Sequence, residues 1–254
     1  MKKYMLALGL SLLTVLGLFT GCSPKAETAS DSDSLKIVAT IFPEYDWVRQ
    51  VLGDRAGEVE LTLLLGSGTD LHSYQPTAAD MLTIGECDLF LYNGGESDAW
   101  VKRGLATAAN PDRRTLSVME VLGDSVLEEE VAEGMQEAED HNHAEGEAHE
   151  EEADEHVWLS LRNARTACAE IARVLGELDP DHAAEYQINA ENYMAQLEAL
   201  DREYTALAEN AARRTVLVGD RFPFRYLMDG YGLEYYAAFS GCSAAKMRNT
   251  TPAR

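Results

Sequence analysis

Two short segments of the chain share one layout: an acidic residue, any residue, histidine, any residue, an aromatic ring. They read Asp70-Leu71-His72-Ser73-Tyr74 and Asp154-Glu155-His156-Val157-Trp158. A neutral imidazole offers a lone pair to a divalent cation such as Zn2+, and a nearby carboxylate can hold the second ring nitrogen and orient the ring. Neither segment is specific alone, because an isolated histidine is ordinarily a surface residue or a satisfied core residue. The pair in matched surroundings singles them out. His72 follows a β-prone run in a polar stretch containing Gly66 and Gly68, and His156 stands where a long acidic stretch gives way to regular structure.

The elements that must position these histidines alternate in type. Residues 35–42, 58–65, 88–93 and 114–118 are short β-prone runs. Residues 43–53, 76–86 and 97–109 read as helices, opened by Pro43 and Pro76 as first-turn prolines and by Ser97 as a cap. Such alternation predicts a parallel sheet covered on both faces, with ligands bound at loops beyond the carboxyl ends of the strands. Residues 163–178 form an amphipathic helix with Ala167, Cys168, Ile171, Val174, Leu175 and Leu178 on one side. Asp179-Pro180 then opens a longer helix, whose stripe runs Tyr186, Ala190, Tyr193, Leu197, Leu200, Tyr204, Leu207. Continuous to about Ala212 it would span roughly 50 Å, longer than a small domain is wide, which suggests a rigid strut between two lobes. A second series follows, with strands at 215–218 and 233–239 around a helix at 222–230. Two strands and one helix cannot cover both faces of a sheet, and the tail 245–254 is basic where the rest is acidic. The expected fold is α/β: two (β/α) lobes, 35–178 and 213–254, joined by a long rigid helix at 179–212. The second lobe is expected to be incomplete, the end truncated or frame-shifted.

The chain carries a formal net charge of −23, which argues against nucleic acid and anionic membrane surfaces as partners. The charge is concentrated: residues 128–155 hold fourteen Asp and Glu, no Lys or Arg, and three histidines, His141, His143 and His149. Without apolar periodicity, residues 123–155 are expected to be a loop without packed structure. At the other end, Lys2 and Lys3 precede the apolar run 4–19, too short for a membrane span, which stops at Thr20-Gly21-Cys22. This reads as a lipoprotein signal over residues 1–21, a lipid on Cys22, and a tether over 22–34, placing the protein outside the cytoplasm on the cell membrane. Cys87, Cys168 and Cys242 remain, an odd number without CxxC spacing, so no disulfide is assigned, and Cys168 reads as a small buried residue.

These features together resemble the zinc and manganese substrate-binding lipoproteins of ABC importers whose lobes are joined by one rigid helix. The likeness runs from about Leu35 to Ala244. It is strongest around residues 68–80, 156–161 and 220–243, and the family's first two ligands lie in segments like Gly68-Thr69-Asp70-Leu71-His72-Ser73-Tyr74-Gln75-Pro76 and His156-Val157-Trp158-Leu159. The resemblance implies a metal held in the cleft by His72 and His156. Leu71 and Glu155 stand where prolines are usual in the family. A third family histidine opens the first helix of the second lobe, a place that falls here on Asp220 or Arg221. Arg221 cannot ligate a cation, so Asp220 is the candidate third ligand, with a role as a helix cap before Phe222 as the other reading. The family's fourth ligand, a carboxylate farther on, has no counterpart.

The leading expectation is therefore a monomeric binding protein, not an enzyme, that captures Zn2+ or Mn2+ and hands it to a membrane permease. The His-bearing acidic loop favours zinc, with His141, His143 and His149 collecting dilute cations. Two alternatives belong to other classes. A zinc-dependent hydrolase would use two histidines and an acid to activate water, but no HExxH, Gly-x-Ser-x-Gly or phosphate-binding glycine loop is present. A surface metal buffer would rely on the acidic loop alone.

Overall fold

A computed structural model describes residues 34–66, 68–106, 109–130, 135 and 153–241. Cys22, Cys242, His141, His143 and His149, and with them the expected signal and tether, lie outside the described residues. All the elements belong to one compact unit beginning at Leu35.

In the first lobe, strands β1 (Lys36–Ala39), β2 (Glu60–Leu63), β3 (Leu89–Tyr92) and β4 (Arg114–Ser117) form one parallel sheet in the order β2-β1-β3-β4. Alternate strand residues point to opposite faces. Ile37, Ala39, Leu89 and Leu91 meet Trp47, Val48 and Val51 of α1 (Phe42–Leu52) in the main core, whereas Val38 and Phe90 meet Ile84 and Trp100 on the other side. Helices α2 (Ala78–Glu86) and α3 (Val101–Leu105) lie in the second cluster, and a short α4 (Val118–Leu122) follows β4 directly. Cys87 and Cys168 are buried free thiols, and burial pushes each up to about 12.

Several local expectations are corrected. Pro43 does sit in the first turn of α1, but Pro76 precedes the α2 cap, which is Thr77 with its hydroxyl accepting from the Asp80 N–H. Ser97 caps no helix, since α3 starts only after Trp100. The Ser97 side chain is used elsewhere.

Helix α5 (Leu161–Leu178) starts from a Ser160 cap and buries Ala167, Cys168, Ile171, Val174 and Leu175 against the main core. After a tight turn at Pro180–His182, α6 (Ala183–Glu209) runs 27 residues, about 40 Å. Asp179 does not cap this turn. Its carboxylate accepts hydrogen bonds from the His182 ring and the Tyr186 hydroxyl. The apolar stripe of α6 splits in two. Tyr186, Ala190 and Leu197 are buried, but Leu200, Tyr204 and Leu207 are exposed, Leu207 by 69 %. The helix thus outruns the first lobe and reaches the second, where Tyr231 stacks on Tyr204 and its hydroxyl donates to Asp201 at 3.0 Å.

The second lobe consists, among the described residues, of β5 (Thr215–Phe222), α7 (Arg225–Tyr231) and β6 (Glu234–Ser240), the strands pairing in parallel. Phe222, Met228 and Ala237 form its core on the α7 side, while Leu217 on the other face is 82 % exposed. Strand β5 runs four residues beyond the expected end at Val218, through an irregularity between Val218 and Arg221. Pro223 explains this: it pushes Phe222 toward extended backbone, so the helix cannot begin until after Phe224. Asp220 therefore lies in a strand and caps no helix. The lobes meet at Tyr226, whose hydroxyl donates to the Asp154 carbonyl at 2.8 Å and accepts the Leu127 N–H at 2.9 Å.

Candidate metal centre

An open cavity of about 660 Å³ lies beyond the carboxyl ends of β1 and β2, lined among others by His72, His156, Trp158, Asp220 and Arg221. This is where an open α/β sheet is expected to bind ligands.

The two histidines arrive there by the same local device. Asp70 Oδ1 accepts the His72 N–H at 3.1 Å and starts a single 3-10 turn, Leu71–Ser73. Asp154 Oδ1 accepts the His156 N–H at 2.9 Å just before another such turn, Val157–Leu159. Each turn is pinned by an apolar neighbour of the histidine: Leu71 plugs against Ile41 and Leu65, and Val157 is fully buried in the main core. His156 is itself buried, and its ring lies 5.3 Å from that of Trp158, centre to centre. Gly241, just past β6, comes so close that a Cβ there would stand 2.9 Å from His156 Cε1. The second lobe therefore closes over the Cε1–Nδ1 edge of this ring only because position 241 has no side chain.

The rings meet edge on, with His72 Nε2 3.3 Å from His156 Nε2. Two Zn–N bonds of about 2.0–2.1 Å at a tetrahedral angle place their nitrogens about 3.3–3.4 Å apart, so the spacing matches one edge of a zinc tetrahedron. Each ring is engaged by the protein at its other nitrogen. His156 Nδ1 lies 2.8 Å from Asp154 Oδ1. His72 Nδ1 lies 2.9 Å from Ser97 Oγ and 3.4 Å from Glu155 Oε2. Nε2 is thus the atom that each ring turns to the cleft.

Buried carboxylates underlie the His72 side. Hydrogen bonding to Glu155 raises His72 above the usual imidazole value, against the opposing effect of burial. Burial acts to raise Glu155 in turn, but hydrogen bonds from His72 and Ser97 hold it below the ordinary carboxylate value. Behind it, burial pushes Asp98 up to about 6. Glu44, fully buried on α1 and next to the Asp98 charge, is pushed up to about 8.

Asp220 lines the same cavity but is exposed, its carboxylate accepting the Arg221 N–H at 2.8 Å. Arg221 reaches across to Asp70 Oδ2 at 4.0 Å. Among the described residues no group of three or more His, Cys, Asp or Glu is arranged to hold a metal ion. The geometry brings His72 and His156 together as a two-histidine pair, with Asp220 on the wall.

Sequence reasoning missed Asn93, Gly95, Ser97 and the inward turn of Glu155. Asn93 donates to the Glu155 carbonyl at 2.8 Å, and Gly95 leaves room for the Glu155 carboxylate. The Gly94-Gly95 pair after β3, both at positive φ, was the available signal of a tight backbone approach.

The profile of the ZnuA family, described as zinc-uptake complex component A, periplasmic, matches residues 37–254. The chain belongs to this family. It is 34 % identical over 244 residues to a zinc-binding lipoprotein AdcA of Streptococcus pneumoniae, covering 96 % of this chain and 45 % of that protein. It is 31 % identical over 212 residues to a high-affinity zinc uptake system protein ZnuA of Bacillus subtilis, covering 84 % of this chain and 63 % of the relative. The chain thus spans less than half the length of the first relative and under two thirds of the second. Among solved structures, the Zn(II)-bound ZnuA-like domain of Streptococcus pneumoniae AdcA matches with a TM-score of 0.64 and 29 % identity, over 81 % of this chain and 67 % of that one. The ZnuA-family fold, two α/β lobes joined by a long helix, is the one observed.

Proposed function

We propose that this ZnuA-family chain is the extracytoplasmic metal-binding component of an ABC importer, with Zn2+ as its cargo and His72 and His156 as the ligands. The observation that carries this reading is the 3.3 Å separation of the two Nε2 atoms, each on a ring engaged at Nδ1 by the protein. The names of the relatives, zinc-binding lipoprotein and zinc uptake protein, favour zinc over manganese. They also favour a carrier over a hydrolase or a surface buffer.

Within this reading Asp220, on the cavity wall, is the third donor, brought in by a small movement of the second lobe or through a water. His141, His143 and His149 serve as an auxiliary loop that concentrates cations near the cleft. Cys22 carries the lipid that ties the monomer to the membrane beside its permease. No helix among the described residues is long and apolar enough to cross a membrane.

Calorimetric titration of the chain from Cys22 onward with Zn2+ and Mn2+ tests the proposal. Tight one-to-one zinc uptake is expected, and H72A/H156A should weaken it at least a thousandfold. Unchanged affinity in the double variant, or loss of all tight binding when only residues 128–152 are deleted, would sink the cleft as the site.

A further inference from the structure

His72 has no carboxylate of its own in sequence that reaches its ring, because Asp70 is used on the backbone. The ring instead meets Ser97 Oγ at 2.9 Å and Glu155 Oε2 at 3.4 Å. Glu155 is only 3 % exposed, and its seat is built for it. The Ser97 N–H donates to Glu155 Oε1 at 2.7 Å, and the Ser97 hydroxyl donates to Oε2. Gly95, at φ +82°, leaves the space, since a Cβ there would stand 2.3 Å from Oε1. Asn93 holds the Glu155 backbone from the end of β3.

The donor count fixes the proton. A hydroxyl has one hydrogen, and that of Ser97 points to a carboxylate that only accepts. Toward His72 Ser97 can therefore only accept, so Nδ1 must carry a hydrogen, and in the neutral ring Nε2 then holds the lone pair. We infer that Glu155 is a positioning residue of the site: acting directly and through Ser97, its carboxylate sets the His72 tautomer that turns a lone pair toward the cleft. It does for His72 what Asp154 does for His156. The inference rests on the metal-binding reading for its purpose, but the tautomer is observable without metal.

The test uses the 15N-labelled, metal-free chain from Cys22 onward, with imidazole 15N–1H spectra recorded at a pH where both rings are neutral. In the wild type both His72 and His156 are expected as Nδ1–H tautomers. E155A frees the Ser97 hydroxyl to donate to Nδ1, so His72 should change to the Nε2–H tautomer while His156 stays unmoved. S97A, which leaves Glu155 in reach, should keep His72 as Nδ1–H. Zinc affinity should fall about tenfold to a hundredfold in E155A, as is usual when the partner of a ligating histidine is removed. If circular dichroism shows that E155A does not fold, E155Q replaces it, with a mixed His72 tautomer expected. A His72 ring that stays Nδ1–H without the Glu155 carboxylate overturns the inference, even if zinc binds normally. Failure of the wild type to bind zinc, with the tautomer responding as expected, would instead overturn the metal-binding reading and leave the positioning role intact.

Discussion

The segments around His72 and His156 are near copies in sequence and differ in how the fold completes them. Both use an aspartate two residues ahead to accept the histidine N–H and start a 3-10 turn. In the second, the same aspartate also holds the ring. Asp154 can do so because it is buried, its carbonyl tied to Tyr226 of the second lobe. Asp70 is exposed and faces Arg221, and the ring beside it is supported from β3 and the loop after it through Ser97 and Glu155. One motif is thus self-contained, and the other borrows its support from two distant stretches of chain. A local pattern can specify backbone geometry while leaving the chemistry of its side chain to whatever packs against it.

Substitutions at the two aspartates separate these roles. D154A removes both the ring partner and the backbone acceptor of a buried histidine. It should weaken zinc binding tenfold to a hundredfold, up to about 2.7 kcal/mol, by calorimetry. Wild-type affinity in D154A would mean that the His156 ring is oriented by packing alone.

The acid layer behind His72 gives the next effect. Glu44 is raised from 4.5 to about 8 in the folded chain, so the folded state keeps a proton that the unfolded state has lost. Its contribution to stability is fully present below about pH 4.5 and is lost as the pH rises toward 8, at up to about 1.4 kcal/mol per pH unit. Urea unfolding across that window should show a shallower decline for E44Q than for the wild type. Parallel pH profiles would show that Glu44 is not protonated in the fold.

The smallest effect belongs to D70A. Loss of an exposed cap should cost about 0.5–1 kcal/mol of stability and change zinc affinity no more than a few-fold. A loss as large as that of D154A would erase the distinction between the two motifs.

Much of the architecture was legible because its signals are periodic. The alternation of β-prone and helical runs predicted the parallel sheet, and the apolar side of residues 163–178 predicted the face that α5 buries. The errors fall where a side chain was claimed by something distant. Ser97 looks like a helix cap and is instead a partner of His72 and Glu155. The stripe on α6 reads as uniformly apolar, but Leu200, Tyr204 and Leu207 in its second half stay exposed, Tyr204 being covered on one side by the Tyr231 ring of the second lobe. Asp220 was expected at a helix start and lies in β5, because Pro223 prolongs the strand.

The sequence by itself determined that His72 and His156 each stand two residues after an aspartate, and that each falls outside the regular strands and α-helices. Those are consequences of short-range hydrogen bonding and periodicity, which a linear string records. It also determined the strand-helix order, which limits where a cleft can form. Only the tertiary structure decided that the two Nε2 atoms face each other, that Glu155 turns inward to serve a histidine 83 residues away in the chain, and that Gly241 closes on the Cε1–Nδ1 edge of His156. Those relations depend on which surfaces meet when apolar faces are buried, and burial is a property of the whole chain.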